Sequence, residues 1–580
     1  MRKEFSLSSN KAMMNFTVKY CDTMEKILES SGFNRVLESY LNKIKGRKSN
    51  IYVYINNELK GEDINPKEIT NLFKLLIVMN NEDVQSLNHY YDFLLKNRER
   101  FIEFIEGLYG YWRKLERYSL IQSSAIKDGM ASVNFIESNE KLKNLILSLY
   151  RKIEENILGY KPKIYRQLSV GSNAGIILNN MKWDCPEDYE MLKGIPFVDS
   201  IILQSPYITY PKKNTRDGIF TESSKNLLKE STIKKDHFFC YPIKVGELLA
   251  YVFFHRDFMA HGIALCNLFE IAREEECINK KPDIIYVLGA RHESKEVITK
   301  FYDDMKNNIM MGYVSYGEEI DYFGYMKKMI LTLHNLIMIK RGFLPIHGAM
   351  VNITLKSGKS ANVIIMGDSG AGKSESLEAL RTLGGDYISD MNIIFDDMGT
   401  IKIDENGHVI GYGTEIGAFV RLDDLDQGYA FKEIDRSIFM NPDKINARLV
   451  MPINTYKEIV KGYKVHLFLY ANNYEEVGKG ESYINFFSDI EKAIQVFKDG
   501  ARMAKGTTTE KGLVKSYFAN PFGPAQKQEE VNIIIEKYFK AMMASGVKVG
   551  DIKTSLGIKG MEKKGPKNAA LELLNIIKAL

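Results

Sequence analysis

The sequence predicts an α/β protein with more than one domain. The chain has 580 residues, which is more than a single hydrophobic core usually accommodates. From about residue 10 to 160, apolar residues recur at three- and four-residue spacing, a pattern typical of amphipathic helices. From about residue 165 onward, short apolar runs alternate with helical patterns, which indicates strands and helices in alternation.

The first predicted segment, residues 1–162, is a mostly helical N-terminal extension. Helices are expected at 24–28, 71–79 and 141–150, and one strand at 51–55. The segment is rich in aromatic residues, which is compatible with a base-stacking platform for nucleic acid. The helical spacing of these residues favours a packed core instead.

The second predicted segment, residues 163–343, is an α/β lobe. Strands are expected at 176–178, 200–203, 251–254 and 284–288. The basic, turn-rich stretch 210–218 contains Arg216 and is either an anion-binding loop or an exposed surface loop. Lys327 and Lys328 precede a strongly apolar helix, 329–339, where positive charge opposes the helix dipole. Either a ligand or metal justifies these lysines, or they are a charge pair at the helix entry.

The third predicted segment, residues 344–580, contains a phosphate-binding loop. An apolar run leads into Gly-Asp-Ser-Gly-Ala-Gly-Lys-Ser, which fits G-x-x-x-x-G-K-[ST], and a helical pattern follows. Glycines let successive backbone N–H groups point at phosphate oxygens, and the helix directs its positive end toward the same anion. The predicted nucleotide-binding residues are Gly367, Asp368, Ser369, Gly370, Ala371, Gly372, Lys373 and Ser374. Lys373 is expected to reach the outer phosphates of a nucleoside triphosphate, and the Ser374 hydroxyl to ligate Mg²⁺.

Further candidate residues surround this loop in the sequence. Asp390 ends a predicted short strand and is expected beside the phosphates, where an acidic residue completes magnesium coordination. Asp396 and Asp397 are assigned to a turn. A lone histidine such as His347, at the end of an apolar run, is usually a core residue. The stretch 500–510, which includes Lys505, is a Gly/Thr/Lys-rich loop of the kind that meets phosphate or a base.

The net charge, the cysteines and the longest apolar runs limit the possible partners and location of the protein. A net charge of +5, spread along the chain, does not form the basic stripe expected of a nucleic-acid-binding protein. The five cysteines form no C-x-x-C pair, which fits reduced thiols. No apolar run reaches 18 residues, and the N-terminus lacks a signal-peptide core. A cytoplasmic protein without a membrane segment is expected, and the oligomeric state stays open.

These residues together resemble phosphoenolpyruvate carboxykinase, most nearly its ATP-using branch. Tyr322-Phe-Gly-Tyr-Met-Lys-Lys, an apolar helix and Pro-Ile-His347-Gly-Ala-Met-Val-Asn resemble the family's Tyr-Gly-Gly-Glu-Met-Lys-Lys and Met-His-Cys-Ser-Ala-Asn. The separation from Lys328 to His347, 19 residues, is that of the family. Asn446-Ala-Arg448-Leu-Val-Met-Pro resembles a stretch whose arginine bridges nucleotide phosphate and substrate. The resemblance covers about residue 315 to the C-terminus with specific motifs and is weak or absent before it.

The resemblance implies a two-lobed fold with the site between the lobes. It implies a divalent metal, usually Mn²⁺, held by Lys328, His347 and Asp390, with Tyr322 contacting the substrate. Lys373 and Arg448 are implied in phosphoryl transfer, Lys505 in nucleotide binding, and Arg216 is a weak counterpart of the substrate-binding arginine. The implied cofactors are ATP, Mg²⁺ and Mn²⁺, and the implied reaction converts oxaloacetate and ATP to phosphoenolpyruvate, CO₂ and ADP.

The chain departs from the carboxykinase pattern in several places. Met391 stands where the family has the second aspartate of its metal motif, and the substrate motif Gly-Arg-Ser-Pro-Lys-Asp is not recognisable. The loop spelling Gly-Asp-Ser-Gly-Ala-Gly-Lys-Ser-Glu is similar to the HPr kinase/phosphorylase branch of the same superfamily. Two alternatives therefore remain open: a kinase acting on a protein serine or a small hydroxyl compound, and a nucleotide-binding regulatory protein that has lost catalysis.

Overall fold

The protein is described here from a computed structural model. The structure describes residues 3–8, 10–47, 49–58, 64–122, 130–162, 170–204, 206–216, 218–294, 296–368, 370–422, 436–504 and 512–580. Within these residues the chain forms two compact units. The N-terminal unit comprises Met1–Asn180 and Val198–Tyr207, and the C-terminal unit comprises Met181–Phe197 and Ile208–Leu580. The C-terminal unit includes residues from both predicted lobes.

The chain is a mixed α/β protein with several sheets, as the sequence predicts. The α-helices, in chain order, are α1 (Met24–Glu29), α2 (Ser31–Gly46), α3 (Asn50–Glu58), α4 (Pro66–Leu76), α5 (Asn81–Leu87), α6 (His89–Leu95), α7 (Arg98–Lys114), α8 (Met130–Leu158), α9 (Met259–Ala264), α10 (Glu274–Cys277), α11 (Phe323–Lys340), α12 (Lys373–Tyr387), α13 (Tyr456–Ile459), α14 (Ile490–Asp499), α15 (Gln528–Ala544) and α16 (Lys564–Ala579).

The strands up to the end of the first sheet of the C-terminal unit are β1 (Phe5–Ser8), β2 (Lys11–Asn15), β3 (Glu116–Gln122), β4 (Ala174–Asn179), β5 (Phe197–Leu203), β6 (Tyr207–Thr209), β7 (Thr221–Glu222), β8 (Ser231–Thr232), β9 (Phe238–Val245), β10 (Leu248–His255), β11 (Glu270–Ile271), β12 (Ile284–His292), β13 (Thr299–Asp304) and β14 (Ile309–Ser315). The remaining strands are β15 (Leu344–Leu355), β16 (Ser360–Met366), β17 (Ile388–Phe395), β18 (Met398–Ile403), β19 (Val409–Gly413), β20 (Gly417–Arg421), β21 (Ile438–Met440), β22 (Arg448–Pro452), β23 (Tyr463–Lys464), β24 (Leu467–Asn472), β25 (Ile484–Phe486), β26 (Ala501–Met503), β27 (Leu513–Lys515) and β28 (Lys548–Lys553).

The N-terminal unit is mostly helical and also contains strands that the sequence did not predict. Its sheet has the order β1-β2-β3-β4-β5. β1 and β2 form an antiparallel hairpin, and β2, β3 and β4 pair in parallel. The helices share one apolar core, in which Leu28, Phe73 and Phe101 are among the fully enclosed side chains.

The predicted strand at 51–55 is wrong, because these residues form helix α3. Ser49 caps the helix: its hydroxyl accepts a hydrogen bond from the N–H of Tyr52, and its carbonyl accepts one from Val53. Ile51 and Ile55 lie one helical turn apart, and Ile55 is fully buried in the helical core. Packing on neighbouring helices overrides the β propensity of this aromatic and β-branched run.

One buried arginine ends helix α7. The Arg117 side chain is 2% exposed, and its guanidinium donates to the carbonyls of Trp112, Arg113, Leu115 and Gly171 over 2.6–2.8 Å. These include carbonyls at the end of α7, which have no partners within the helix. Burial lowers the pKa of Arg117 to about 10.

Two sheets dominate the C-terminal unit. The first has the order β9-β10-β12-β14-β13-β7, with β10, β12 and β14 in parallel. The second has the order β23-β19-β18-β15-β16-β24-β28-β25, and β17 also pairs with β15. The long strand β15 pairs with β18 through residues 344–347 and with β17 through residues 350–355. None of the described helices is long and apolar enough to cross a membrane.

Candidate active site

The predicted phosphate loop lies between buried strand β16 and helix α12. Gly370 and Gly372 have φ angles of +80° and +98°, which glycine adopts without the strain that other residues incur. A Cβ at Gly372 would lie 2.5 Å from the hydroxyl of Thr554, so this position also requires a close approach. The strand–loop–helix context that the sequence predicts is therefore present, with Lys373 as the first residue of α12.

Lys373 is directed into the loop. Its side chain is buried, and its Nζ donates to the carbonyls of Gly367 at 2.7 Å and Asp368 at 3.0 Å. Burial lowers the pKa of Lys373, although the charges of Asp397 and Asp368 oppose this shift. Ala371 is buried beside the loop. Ser369 and the side chain of Ser374 lie outside the described residues.

Lys328, His347 and Asp397 meet beside this loop. Lys328 Nζ lies 2.9 Å and 2.6 Å from the two carboxylate oxygens of Asp397, and His347 Nε2 lies 3.1 Å from Asp397 Oδ1. His347 belongs to β15, and Asp397 lies at the bend between β17 and β18. The backbone joins these elements to the loop: Gly348 N donates to Asp397 O, and Gly367 N donates to His347 O, each at 3.0 Å.

The tautomer of His347 follows from its second partner. Its Nδ1 lies 2.8 Å from the carbonyl oxygen of Ala519, which can only accept, so Nδ1 carries the proton. Burial and the charge of Lys373 lower the pKa of His347, which favours the neutral ring. The lone pair of Nε2 then faces the carboxylate of Asp397. Two acceptors 3.1 Å apart suit a shared cation, so this donor set fits a divalent metal.

The surroundings shift the pKa values of the two adjacent lysines of α11 in opposite directions. Lys327 Nζ lies 2.7 Å from Asp397 Oδ2 and 3.1 Å from Glu415 Oε2, and these carboxylates raise its pKa against the effect of burial. Burial lowers the pKa of Lys328, and the charge of Lys327 adds to this although Asp397 opposes it. A metal-ligating lysine must be neutral, so Lys328 is the better ligand of the pair.

Burial raises the pKa of every acidic group around the cluster, but the net shifts differ because neighbouring charges differ. Burial opposes ionisation of Asp397, but Lys327 and Lys328 hold its pKa well below the ordinary value. Burial, together with the charge of Asp397, raises the pKa of Asp396 to about 6. Burial raises the pKa of Glu415 to about 7. Asp397 is therefore the most readily ionised of these three carboxyl groups.

A second ion pair attaches the phosphate loop to strand β26. Arg502 Nε donates to Asp368 Oδ2 at 3.0 Å, and both side chains are largely buried. Asp368 Oδ1 also lies 3.6 Å from His347 Nδ1. Strand β26 leads into the predicted Gly/Thr/Lys-rich loop, of which Lys505 lies outside the described residues. Asp368 of the loop is therefore paired with Arg502 and also lies near His347, so it connects the loop to the cluster of Lys328, His347 and Asp397.

The charges of three cationic side chains act on Tyr322. Burial raises the pKa of Tyr322, while the nearby charges of Arg448, Arg216 and Lys327 oppose the shift. Arg448 lies over the ring of Phe419, 5.3 Å from its centroid. Arg216 and Lys328 both lie over Phe522, at 5.3 Å and 4.6 Å. This concentration of positive charge suits an anionic ligand.

Asp390 does not join this cluster. It is exposed and pairs with Thr354, which is seven residues from His347 along β15, or roughly 23 Å in an extended strand. The acidic partner of Lys328 and His347 is Asp397 instead. Asp396 and Asp397 are adjacent in sequence, whereas Asp390 is followed by Met391. The adjacency of two acidic residues was the available signal for Asp397, and the lysine pair ahead of an apolar helix was the signal for Lys327. Glu415 and Arg502 have no comparable pattern of their own.

Comparison with known proteins adds no family to these observations. No protein-family model matches the chain, and no curated protein is similar to it. Among the described residues, no group of three or more His, Cys, Asp or Glu side chains could hold a metal ion. The cluster described above has a lysine as one of its three members.

Proposed function

We propose that the chain is an ATP- and divalent-metal-dependent phosphoryl-transfer enzyme of the phosphoenolpyruvate carboxykinase type. In this reaction oxaloacetate loses CO₂, and the resulting enolate takes the γ-phosphoryl group of ATP to give phosphoenolpyruvate and ADP. The observation that carries the proposal is the convergence of Lys328, His347 and Asp397 beside the phosphate loop of Lys373. The motif resemblance supports it independently of the geometry.

Each residue has a role that fits its surroundings. Lys328, His347 and Asp397 would hold a Mn²⁺-like ion, and Ser374 is the position expected to ligate Mg²⁺. When bound, these ions supply positive charge that stabilises an enolate oxygen and the phosphoryl oxygens. Lys373 binds the outer phosphates, and Arg448 orients the transferred group and neutralises its charge. Lys327 keeps Asp397 ionised, so this carboxylate remains available as a ligand.

The residues that would contact the substrate determine which molecule accepts the phosphoryl group. Tyr322, Arg216 and Arg448 form the basic surface on which the carboxylates of oxaloacetate would bind. Arg216 is positioned by contact with the rings of Phe220 and Phe522. Its Nη1 also donates to the carbonyl of Gly218, which fixes the guanidinium further.

Steady-state turnover of oxaloacetate and ATP with Mg²⁺ and Mn²⁺ tests this function. Lys373→Ala and Asp397→Asn should each lower kcat/KM by about 100-fold or more, because each removes a charge that stabilises the transition state. Asp390→Asn is the matched control and should keep wild-type activity. Mn²⁺ binding, followed by electron paramagnetic resonance, should weaken in Asp397→Asn and not in Asp390→Asn. Equal effects of the two aspartate variants would contradict the assignment.

A second candidate is a kinase that phosphorylates a hydroxyl group. The observation favouring it is Asp396, whose buried Oδ1 has no hydrogen-bond partner within the described part of the chain. A general base must reach the hydroxyl proton that it takes, and an unpartnered carboxylate oxygen beside the phosphate loop suits that role. ATP consumption with serine-bearing proteins or small alcohols, and none with oxaloacetate, would select this candidate. ATP binding without turnover on any acceptor would select the non-catalytic regulatory protein.

A further inference from the structure

The N-terminal unit contains an apolar cavity that has no part in the proposed phosphoryl transfer. Its volume is about 170 Å³, and residues of β1, β2 and the helices α1, α2, α4, α7 and α8 line it. Aromatic side chains form much of the wall, including Phe5, Phe33, Phe73, Tyr109 and Trp112. Tyr109 stacks on Tyr150 with the ring centroids 3.9 Å apart, which makes this part of the wall flat.

A cavity of this size is unusual in a packed interior. Protein cores have few voids larger than a water molecule, and the cost of a void rises with its volume. An apolar cavity of about 150 Å³ stays dry and accepts a ring the size of benzene. The wall here is mostly aromatic and aliphatic, and water inside it would find few hydrogen-bond partners. An apolar occupant would therefore stabilise the unit by burying this surface.

The polar groups at the wall are occupied by other protein groups. Glu4 Oε1 accepts from both the N–H and the hydroxyl of Ser31, and Lys19 Nζ lies 3.9 Å from the same oxygen. Cys21 Sγ donates to the carbonyl of Lys26, and Trp112 Nε1 donates to that of Val170. Opposite charges at Glu4 and Lys19 also cancel. The cavity therefore provides an apolar surface for contact and has few polar groups that could bind a charged headgroup.

We infer that this cavity is a binding site for a small, neutral, apolar molecule, about the size of one aromatic ring or a six- to eight-carbon chain. Binding depends on burial of the apolar part, and a single neutral polar group can lie beside Glu4 and Lys19, which belong to the polar part of the wall. This site belongs to the N-terminal extension and does not depend on the function proposed for the phosphate loop.

Calorimetric titration of the full chain with neutral primary alcohols from butanol to decanol tests the site. Affinity should rise about fourfold for each added methylene, the gain expected from burying one such group, and should fall once the chain outgrows the cavity. An affinity that keeps rising through decanol indicates surface partitioning and overturns the inference. Absence of binding across the series also overturns it.

Cavity-filling variants separate this site from non-specific binding. Val36→Phe places extra volume in the cavity and should lower hexanol affinity at least tenfold, while Leu87→Phe, at a position 55% exposed and away from the cavity, should not. Ile146 is only partly buried at the wall, so Ile146→Phe provides a second test if Val36→Phe does not fold. Unchanged hexanol binding in a folded cavity-filling variant would refute the site.

Discussion

At the scale of single residues, the carboxylate in the candidate site is that of Asp397. The sequence pattern favours Asp390 instead, at the end of a predicted strand. Asp397 contacts Lys327, Lys328 and His347 at once, so it balances the charge of two buried lysines. Asp390 lies on the exposed part of β17 and has no such partners among the described residues. Charge balance in this buried cluster thus accounts for the position of Asp397 rather than Asp390.

Asp397→Asn should destabilise the fold even without any ligand. The variant leaves the ammonium groups of Lys327 and Lys328 without their shared counter-charge, and removing one partner of a buried ion pair costs about 3–5 kcal/mol. Asp390→Asn should change the free energy of unfolding by less than about 0.5 kcal/mol, because the side chain is exposed. Urea denaturation of both variants measures the difference, and similar midpoints would contradict this account of the cluster.

At the scale of elements, buried polar side chains satisfy the ends of helices and make the stability of the fold depend on pH. Arg117 satisfies the terminal carbonyls of α7. On α11, His334 is 2% exposed and its Nδ1 lies 3.2 Å from Asn335 Oδ1. Burial lowers the pKa of His334 to about 4; the charge of Glu247 opposes this shift, while those of Lys402 and Arg341 add to it.

Arg117→Met should lower the stability of the N-terminal unit by at least about 2 kcal/mol. The methionine fills similar volume but leaves buried carbonyl oxygens without donors, and each such group costs about 1–3 kcal/mol. Arg113→Met, on the same helix with a side chain outside this hydrogen-bond set, serves as the control. Thermal unfolding followed by circular dichroism compares them. Equal melting temperatures for the two variants would show that the carbonyl contacts contribute nothing.

His334 should make stability fall as the pH is lowered. The folded state keeps the ring neutral to about pH 4, whereas the unfolded chain protonates it near pH 6.5, so stability is full above pH 6.5. Between pH 6.5 and 4 the wild type should lose up to about 3 kcal/mol relative to His334→Gln. Denaturation midpoints of both proteins across this range provide the measurement. Parallel pH curves for the two proteins would be inconsistent with a neutral buried ring.

At the scale of the whole molecule, each compact unit has its own hydrophobic core. The N-terminal core is formed by helices and the strands β1 and β2, and the C-terminal cores lie on the sheets around β15 and β16. The predicted site residues that the structure describes all belong to the C-terminal unit, and the apolar cavity belongs to the other. Two functions can therefore be tested separately in one chain.

Calorimetric melting of the intact chain should show two transitions, as expected when two cores do not form one cooperative unit. Arg117→Met should shift one transition to lower temperature, and Asp397→Asn the other. ATP with Mg²⁺ should raise only the transition that Asp397→Asn lowers, because a ligand stabilises the unit that binds it. One transition shifted by both variants would mean that the units unfold together.

Local patterns were sufficient for the elements with the clearest apolar runs. The phosphate loop was predictable because its glycines, its preceding apolar run and its following helix are adjacent in sequence. Strands such as β10 and β12 and helix α11 were also predicted correctly from their apolar runs. The helix at 51–55 was not predicted, because it forms by packing one of its faces in the core, and local sequence does not show that packing.

What the sequence by itself determined is the class of fold, the strand and helix on either side of the predicted phosphate loop, and the candidate status of Lys328 and His347. What only the tertiary structure decided is which acidic residue joins them. Whether Asp390 or Asp397 reaches His347 depends on the register of β17 on β15, including its irregularities, and no local pattern encodes that register. The cavity of the N-terminal unit is equally invisible in sequence, because a void is a property of several packed elements and of no single one.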